Sequence, residues 1–259
     1  MKLRVLGCSG GIGARTRTTS FLVDDDILLD AGTGVEDLTV EEIAAVDHVF
    51  LTHSHLDHIC ALPLLVDSAG ALRSRPVTVH ALPETIAALR AHIFNWVIWP
   101  DFTEIPHFER PYMVFNPIGV GATVPIERAH GAGCSIRALP ANHTVPALGY
   151  QLSTERGALV FSGDTSPNDD FWRIVNAMPD LRMLVIETAF SNRERDLAVL
   201  AKHLYPVQLA QELDKLQREA RIYVTHLKPG DRAAIEREIG AWAGKFEPQV
   251  MERGQVIEM

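Results

Sequence analysis

Lysine is nearly missing from this chain: none occurs between Lys2 and Lys202. Together with a formal net charge of −9, that scarcity argues against a broad nucleic-acid footprint, because phosphate backbones are gripped by clustered Lys and Arg. Cysteine is scarce too. Cys8, Cys60 and Cys134 are odd in number and show no Cys-x-x-Cys spacing. That excludes a disulfide framework and a thiolate zinc site, so the thiols read as reduced and mostly buried. No apolar run is long enough to span a bilayer, and the run after Met1 is too short for a secretory signal. The expected location is the cytoplasm, with no membrane partner. Linkers, low-complexity tracts and internal repeats are also lacking. The 259 residues are therefore expected to form a single domain, 1–259.

What is present is an ordinary globular balance, 47% hydrophobic and 22% charged, with ample capacity for a core. Short β-like runs cover residues 3–6, 20–23, 27–29, 46–52 and 77–80 in the first part. The second part repeats the style at 135–139, 150–153, 158–162, 183–187 and 222–225. Several of these are continuous apolar runs of the kind found in sheets covered on both faces. Helices are predicted between them. One covers 83–93, with Ile86, Leu89, Arg90 and Ile93 along one face. Another opens at Pro206 with an inward stripe of Leu209, Leu213 and Leu216. A last one is capped by Asp231 and carries Ile235, Ile239 and Trp242. Mixed strands and helices in two similar halves predict an α/β layered sandwich.

The chemistry concentrates at Thr52-His53-Ser54-His55-Leu56-Asp57-His58, where a buried strand ends. Imidazole and carboxylate are what a borderline divalent metal prefers. So many polar groups at one strand end need a common partner. His143, Asp164 and His226 stand just past three later apolar runs. Taken singly, each has a plain alternative as a turn or hydrogen-bonding residue.

His53-x-His55-x-Asp57-His58, followed in order by His143, Asp164 and His226, resembles the metallo-β-lactamase superfamily. The resemblance implies a four-layer αβ/βα sandwich holding two divalent metal ions, Zn first, with Mn or Fe as alternatives. It implies that His53, His55 and His143 hold one metal, that Asp57, His58 and His226 hold the other, and that Asp164 bridges them. Asp30, after the strand 27–29, matches the superfamily's early aspartate and is expected to orient ligands.

Two stretches bear on the branch of the superfamily. His92-Ile93-Phe94-Asn95-Trp96-Val97-Ile98-Trp99-Pro100 resembles class II 3′,5′-cyclic-nucleotide phosphodiesterases. That resemblance implies an apolar wall for a base formed by Trp96, Trp99 or Phe94, with Asn95 reading the base edge. Glu187-Thr188-Ala189-Phe190 with His203-Leu204-Tyr205-Pro206 resembles both those phosphodiesterases and the tRNA 3′-end endonucleases called RNase Z. In the RNase Z pattern, Glu187, His203 and Asp57 form a proton relay, with His203 as the acid. Leu62-Pro63 and residues 142–150 lean toward RNase Z, whereas the scarcity of lysine leans away from it. The expectation is hydrolysis of a small cyclic nucleotide to its 5′-nucleotide, in a chain that could act as a homodimer. The alternatives are an RNase Z-like nuclease, for which nucleic acid is the partner, and a non-catalytic metal-binding domain.

Overall fold

The computed structural model describes residues 1–127 and 133–259. The chain divides into two compact units, one of residues 1–8, 14–119 and 252–258, the other of residues 9–13, 120–251 and 259. In the first unit the strands are β1 (Lys2–Gly7), β2 (Ser20–Val23), β3 (Ile27–Leu29), β4 (His48–Phe50), β5 (Val77–Ala81), a small hairpin of β6 (Pro106–His107) and β7 (Arg110–Pro111), and β8 (Met113–Pro117). Its helices are α1 (Val40–Ala45), α2 (Leu56–Ile59), α3 (Leu62–Ala69) and α4 (Pro83–His92). The second unit has β9 (Thr123–Ile126), β10 (Cys134–Pro140), β11 (Leu148–Thr154), β12 (Gly157–Phe161), β13 (Leu181–Glu187), β14 (Arg221–Thr225) and β15 (Gln249–Val250). Its helices are α5 (Asp169–Asn176), α6 (Arg195–Ala201), α7 (Pro206–Leu213) and α8 (Arg232–Ala243). The chain then returns to the first unit as β16 (Val256–Glu258).

Each unit is built on one seven-stranded mixed sheet, ordered β16-β1-β2-β3-β4-β5-β8 in the first and β15-β14-β13-β12-β11-β10-β9 in the second. The two sheets share one grammar. From β16 the first has antiparallel junctions through β3 and parallel ones from β3 to β8. From β9 the second is antiparallel through β12 and parallel from β12 to β15. Parallel strands need long crossovers, usually helical. Those crossovers place α1, α3 and α4 in one unit and α5, α7 and α8 in the other.

The cores follow the expected apolar runs. Leu28, Val49, Leu51 and Val79 pack with Leu62, Leu65, Val66 and Leu89 in the first unit. Val160, Leu184, Ile186 and Val224 pack with Trp172, Val175, Leu209, Leu213 and Ile235 in the second. Along β13 the alternate residues Met183 and Val185 are buried as well, so this strand is apolar on both faces. The helix starts obey local rules. Thr39 and Glu42 form a reciprocal capping box on α1, and Pro206 opens α7 as expected.

The last helix carries Ile235, Ile239 and Trp242 as expected, the two isoleucines facing the core and Trp242 the solvent. One helix expectation is corrected. Asp231 occupies the α8 N-cap position but makes no capping bond; its carboxylate takes the Arg193 guanidinium at 3.1 Å instead. Among the described residues no helix is long and apolar enough to cross a membrane.

Candidate metal-binding clusters

In the first unit the chemistry gathers at the carboxyl ends of parallel β3 and β4, where α/β sheets usually place their functional groups. Asp30 leaves β3 in the left-handed region, φ 56°, and is fully buried. Backbone bonds hold it there: its N–H donates to Phe50 O at 2.9 Å, and Ala31 N–H donates to His58 O at 2.7 Å. Its carboxylate accepts from Thr52 N–H at 2.7 Å, from the Thr52 hydroxyl at 2.9 and 3.0 Å, and from His58 Nδ1 at 2.7 Å.

The Thr52 hydroxyl has one proton to give, and Asp30 takes it. It must therefore accept from His53 Nδ1–H at 2.9 Å. One aspartate thus sets the tautomer of two histidines, His58 directly and His53 through Thr52. Both present the Nε2 lone pair, the form a metal ligand needs. Burial pushes the Asp30 carboxyl upward, and the charge and hydrogen bond of His58 oppose it.

The ligand-type atoms then fall into two pairs. His53 Nε2 lies 3.0 Å from His55 Nδ1, and His58 Nε2 lies 3.9 Å from Asp57 Oδ2. His55 is the N-cap residue of α2, and Asp57 and His58 are on its first turn. Two ligands of one tetrahedral ion at 2.0–2.1 Å stand roughly 3.3 Å apart. An imidazole and carboxylate set at this spacing, with no thiolate, suits a borderline or hard divalent cation.

The second unit repeats the arrangement at the ends of its own strands. His143 follows β10, Asp164 follows β12, Glu187 ends β13 and His226 follows β14. Ligand-type atoms of His143, Asp164 and His203 lie within 4.8 Å of one another. Asp164 Oδ2 is 3.3 Å from His226 Nε2. His143 donates Nδ1–H to the Lys202 carbonyl at 3.1 Å, which puts its lone pair on Nε2. His203 Nδ1 is 2.8 Å from Glu187 Oε1, an oxygen that also accepts from Thr165 N–H at 3.0 Å.

This pair is buried, and its electrostatics are coupled. Burial works against the charged imidazolium, yet the Glu187 charge and hydrogen bond, with the Asp164 charge, hold the His203 pKa above its ordinary value. Burial likewise raises Glu187, opposed by His203.

Several positions matter here that the sequence motifs do not single out. Thr52 links His53 to Asp30. Lys202 holds a left-handed backbone, φ 53°, in which a non-glycine residue costs about 1–2 kcal/mol; its carbonyl is thereby aimed at His143. Gly10 lies against His226. A Cβ on Gly10 would sit 2.5 Å from the His226 carbonyl, 2.9 Å from its Cδ2 and 3.0 Å from its Nε2. Glycine is required because its backbone occupies space beside the ligand-type nitrogen. Gly10 N–H donates to Leu227 O at 3.1 Å, which fixes that approach.

The expected base-binding stretch lies on a loop of the first unit, and its residues are used differently. Phe94 is buried and anchors it. Asn95, expected to read a base edge, also closes this loop: Oδ1 accepts from Val97 and Ile98 N–H at 3.0 and 2.8 Å, and Nδ2 donates to Ala91 O at 3.0 Å. Trp99 packs against the core. Trp96 is 60% exposed with φ 63°.

A family model described as beta-lactamase superfamily domain matches residues 26–227. The chain is 24% identical to a probable 3′,5′-cyclic-nucleotide phosphodiesterase of Yersinia pestis over 71% of its own length and 58% of that protein's. It therefore spans under two thirds of that relative. It is 25% identical to a ribonuclease Z of Natronomonas pharaonis over 100% of its length and 98% of that chain. Among solved structures, the metallo-beta-lactamase fold protein YhfI of Bacillus subtilis superposes at TM-score 0.76 and 18% identity, with 99% of each chain covered. The α/β fold expected from the motif is thus the one observed. With its model matched across most of the sequence, through both candidate clusters, this chain belongs to the beta-lactamase superfamily.

Proposed function

We propose that this protein is a dinuclear metal phosphodiesterase that opens a 3′,5′-cyclic nucleotide to the 5′-nucleotide. The carrying observation is the hydrogen-bonded preparation of the ligands: Asp30 and Thr52 set His58 and His53, and the Lys202 carbonyl sets His143. Such outer bonds fix tautomer and ring orientation, which is the preparation a metal site requires.

In this reading His53, His55 and His143 hold one divalent ion, zinc being the first candidate. Asp57, His58 and His226 hold the other, and Asp164 serves both. When bound, the ions neutralise phosphate charge and make water a nucleophile near neutral pH.

The chain's own acid is His203. Its Nδ1–H is committed to Glu187, so its Nε2–H delivers the proton to the departing 3′-oxygen. Glu187 sustains the imidazolium, and Asp57 joins the relay besides binding metal. The exposed Trp96 side chain offers a face for the base.

Support for the cyclic nucleotide comes from the Yersinia relative and from the scarcity of lysine, which suits a small substrate better than a polyanion. The full-length match to a ribonuclease Z favours a second reading, tRNA 3′ processing. One substrate panel separates them. Metal-loaded protein is incubated with cyclic AMP, cyclic GMP and a precursor tRNA, and 5′-nucleotide and trailer release are measured. The cyclic-nucleotide reading expects 5′-nucleotide from at least one cyclic substrate. Trailer release alone would replace it with the second reading.

A further inference from the structure

The parallel strands that carry Asp164, Glu187 and His226 at their carboxyl ends carry arginines at their amino ends. Arg156 immediately precedes β12, Arg182 is the second residue of β13, and Arg221 opens β14. The three line a cleft of about 450 Å³ together with Glu219, Ala220 and Met259. From Arg221 to His226 the strand rises roughly 16 Å, at about 3.3 Å per residue, so this cleft is separate from the candidate metal ligands of the same unit.

We propose that this cleft is an anion site that takes a phosphate monoester. The guanidinium groups of Arg156, Arg182 and Arg221 outnumber the acidic groups beside them, the Glu219 carboxylate and the Met259 α-carboxylate, in a chain whose net charge is −9. Among the described residues no carboxylate forms a salt bridge with Arg156 or Arg182, whereas Arg4, Arg73, Arg75, Arg232 and Arg253 each have one. Guanidinium is planar and weakly hydrated, and its paired N–H groups match the oxygens of a phosphate.

The backbone supports one of the three directly. Gly157 has φ 130°, and a Cβ there would stand 2.5 Å from Arg182 Cγ. The missing side chain is thus the slot in which the Arg182 stem lies, which limits the freedom the guanidinium must lose on binding. Ala220 and Met259 give the cleft an apolar margin, suited to the carbon skeleton of an ester.

The test is site-resolved protection in the metal-loaded full-length protein. Arginines are modified with phenylglyoxal, and the rate at each is read by peptide mass spectrometry with and without ligand. One arm uses inorganic phosphate and the other 5′-AMP. At ~4 times the dissociation constant, modification of Arg156, Arg182 and Arg221 should slow about fivefold, because only the unliganded fraction reacts. Arg137, outside the cleft, should be unaffected. Protection by 5′-AMP at lower concentration than by phosphate identifies a nucleotide ligand; equal protection identifies the phosphate group alone as the determinant. Arg182→Gln should abolish protection at Arg156 and Arg221, and Gly157→Ala should weaken it while every arginine is kept. Unchanged rates at the three arginines in both arms, or equal slowing at Arg137, would overturn the site. Loss of cyclic-nucleotide hydrolysis would not bear on this result, and protection would not bear on that reaction.

Discussion

His203 stands 2.8 Å from Glu187 through its Nδ1, in a setting where both side chains are buried. Glu187 therefore decides how long His203 keeps its second proton as the pH rises. The raised pKa means the imidazolium persists above the ordinary histidine range, and an acid-catalysed step is lost only as the pH climbs through that raised value. Glu187→Gln keeps a hydrogen-bonding group and removes the charge. Its alkaline limb should move to lower pH, and kcat should fall about 10²-fold, at the low end for loss of general acid catalysis. A pH–rate profile of both proteins checks this; an unmoved limb would remove His203 from the acid role.

Thr52 predicts an effect on metal affinity rather than on folding. Thr52→Val keeps the shape of the side chain and removes the hydroxyl between His53 and Asp30. Outer-shell losses of this kind cost about 10–100-fold in metal affinity. Competition against a chromogenic chelator should show that loss, with a circular dichroism spectrum like that of the parent. Equal affinity would mean that the hydroxyl does not hold His53.

Gly10 makes a sharper claim, because a single methyl group should act on one ligand. The Gly10→Ala Cβ falls on His226 atoms at 2.5–3.0 Å, so the imidazole or the backbone has to move. Elemental analysis of purified protein should show bound metal dropping from about two ions per chain toward one, in keeping with the two-ion site proposed above. Full metal content in this variant would mean that His226 is not a ligand.

A different histidine governs acid stability. His80 is buried in the first unit, stacked on Phe50 at 4.1 Å and bonded to His48 at 3.0 Å and Asn116 at 2.8 Å. Burial, and then the His48 charge, push its pKa down to about 3. Below about pH 6.5 the unfolded chain binds a proton at this residue and the folded chain does not, so stability falls as the pH falls from 6.5 toward 3. That loss is about 2 kcal/mol between pH 6.5 and 5, at roughly 1.4 kcal/mol per pH unit for one proton. His80→Gln should flatten this slope, although it lowers stability at pH 7. Denaturant midpoints measured from pH 5 to 8 check it, and parallel slopes in the two proteins would exclude His80 as their source.

How much of this was legible in the sequence depended on distance along the chain. The apolar runs announced β2, β3, β5, β13 and β14 because a strand buried on both faces leaves a continuous signature. His53, His55, Asp57 and His58 announced themselves because four ligand-type residues sit within six positions. The supporting contacts were not legible. Gly10 and His226 are brought together only by the fold, and no spacing rule links Lys202 to His143. The loop bonds of Asn95 were not legible for a related reason: an amide can read a base or close a loop, and the Val97 and Ile98 N–H groups it accepts from are placed only by the folded backbone. Short edge strands such as β9, β15 and β16 lacked the apolar length that would have marked them.

The strand order has a consequence for synthesis. β1 lies between β2 and β16, and β16 comes from residues 256–258. Most of the first unit emerges from the ribosome early, yet its sheet stays open along β1 until residues 256–258 have been made. An exposed β1 edge is a template for pairing with other chains. Nascent or truncated forms that stop before residue 256 should therefore aggregate through β1, however well the second unit has folded.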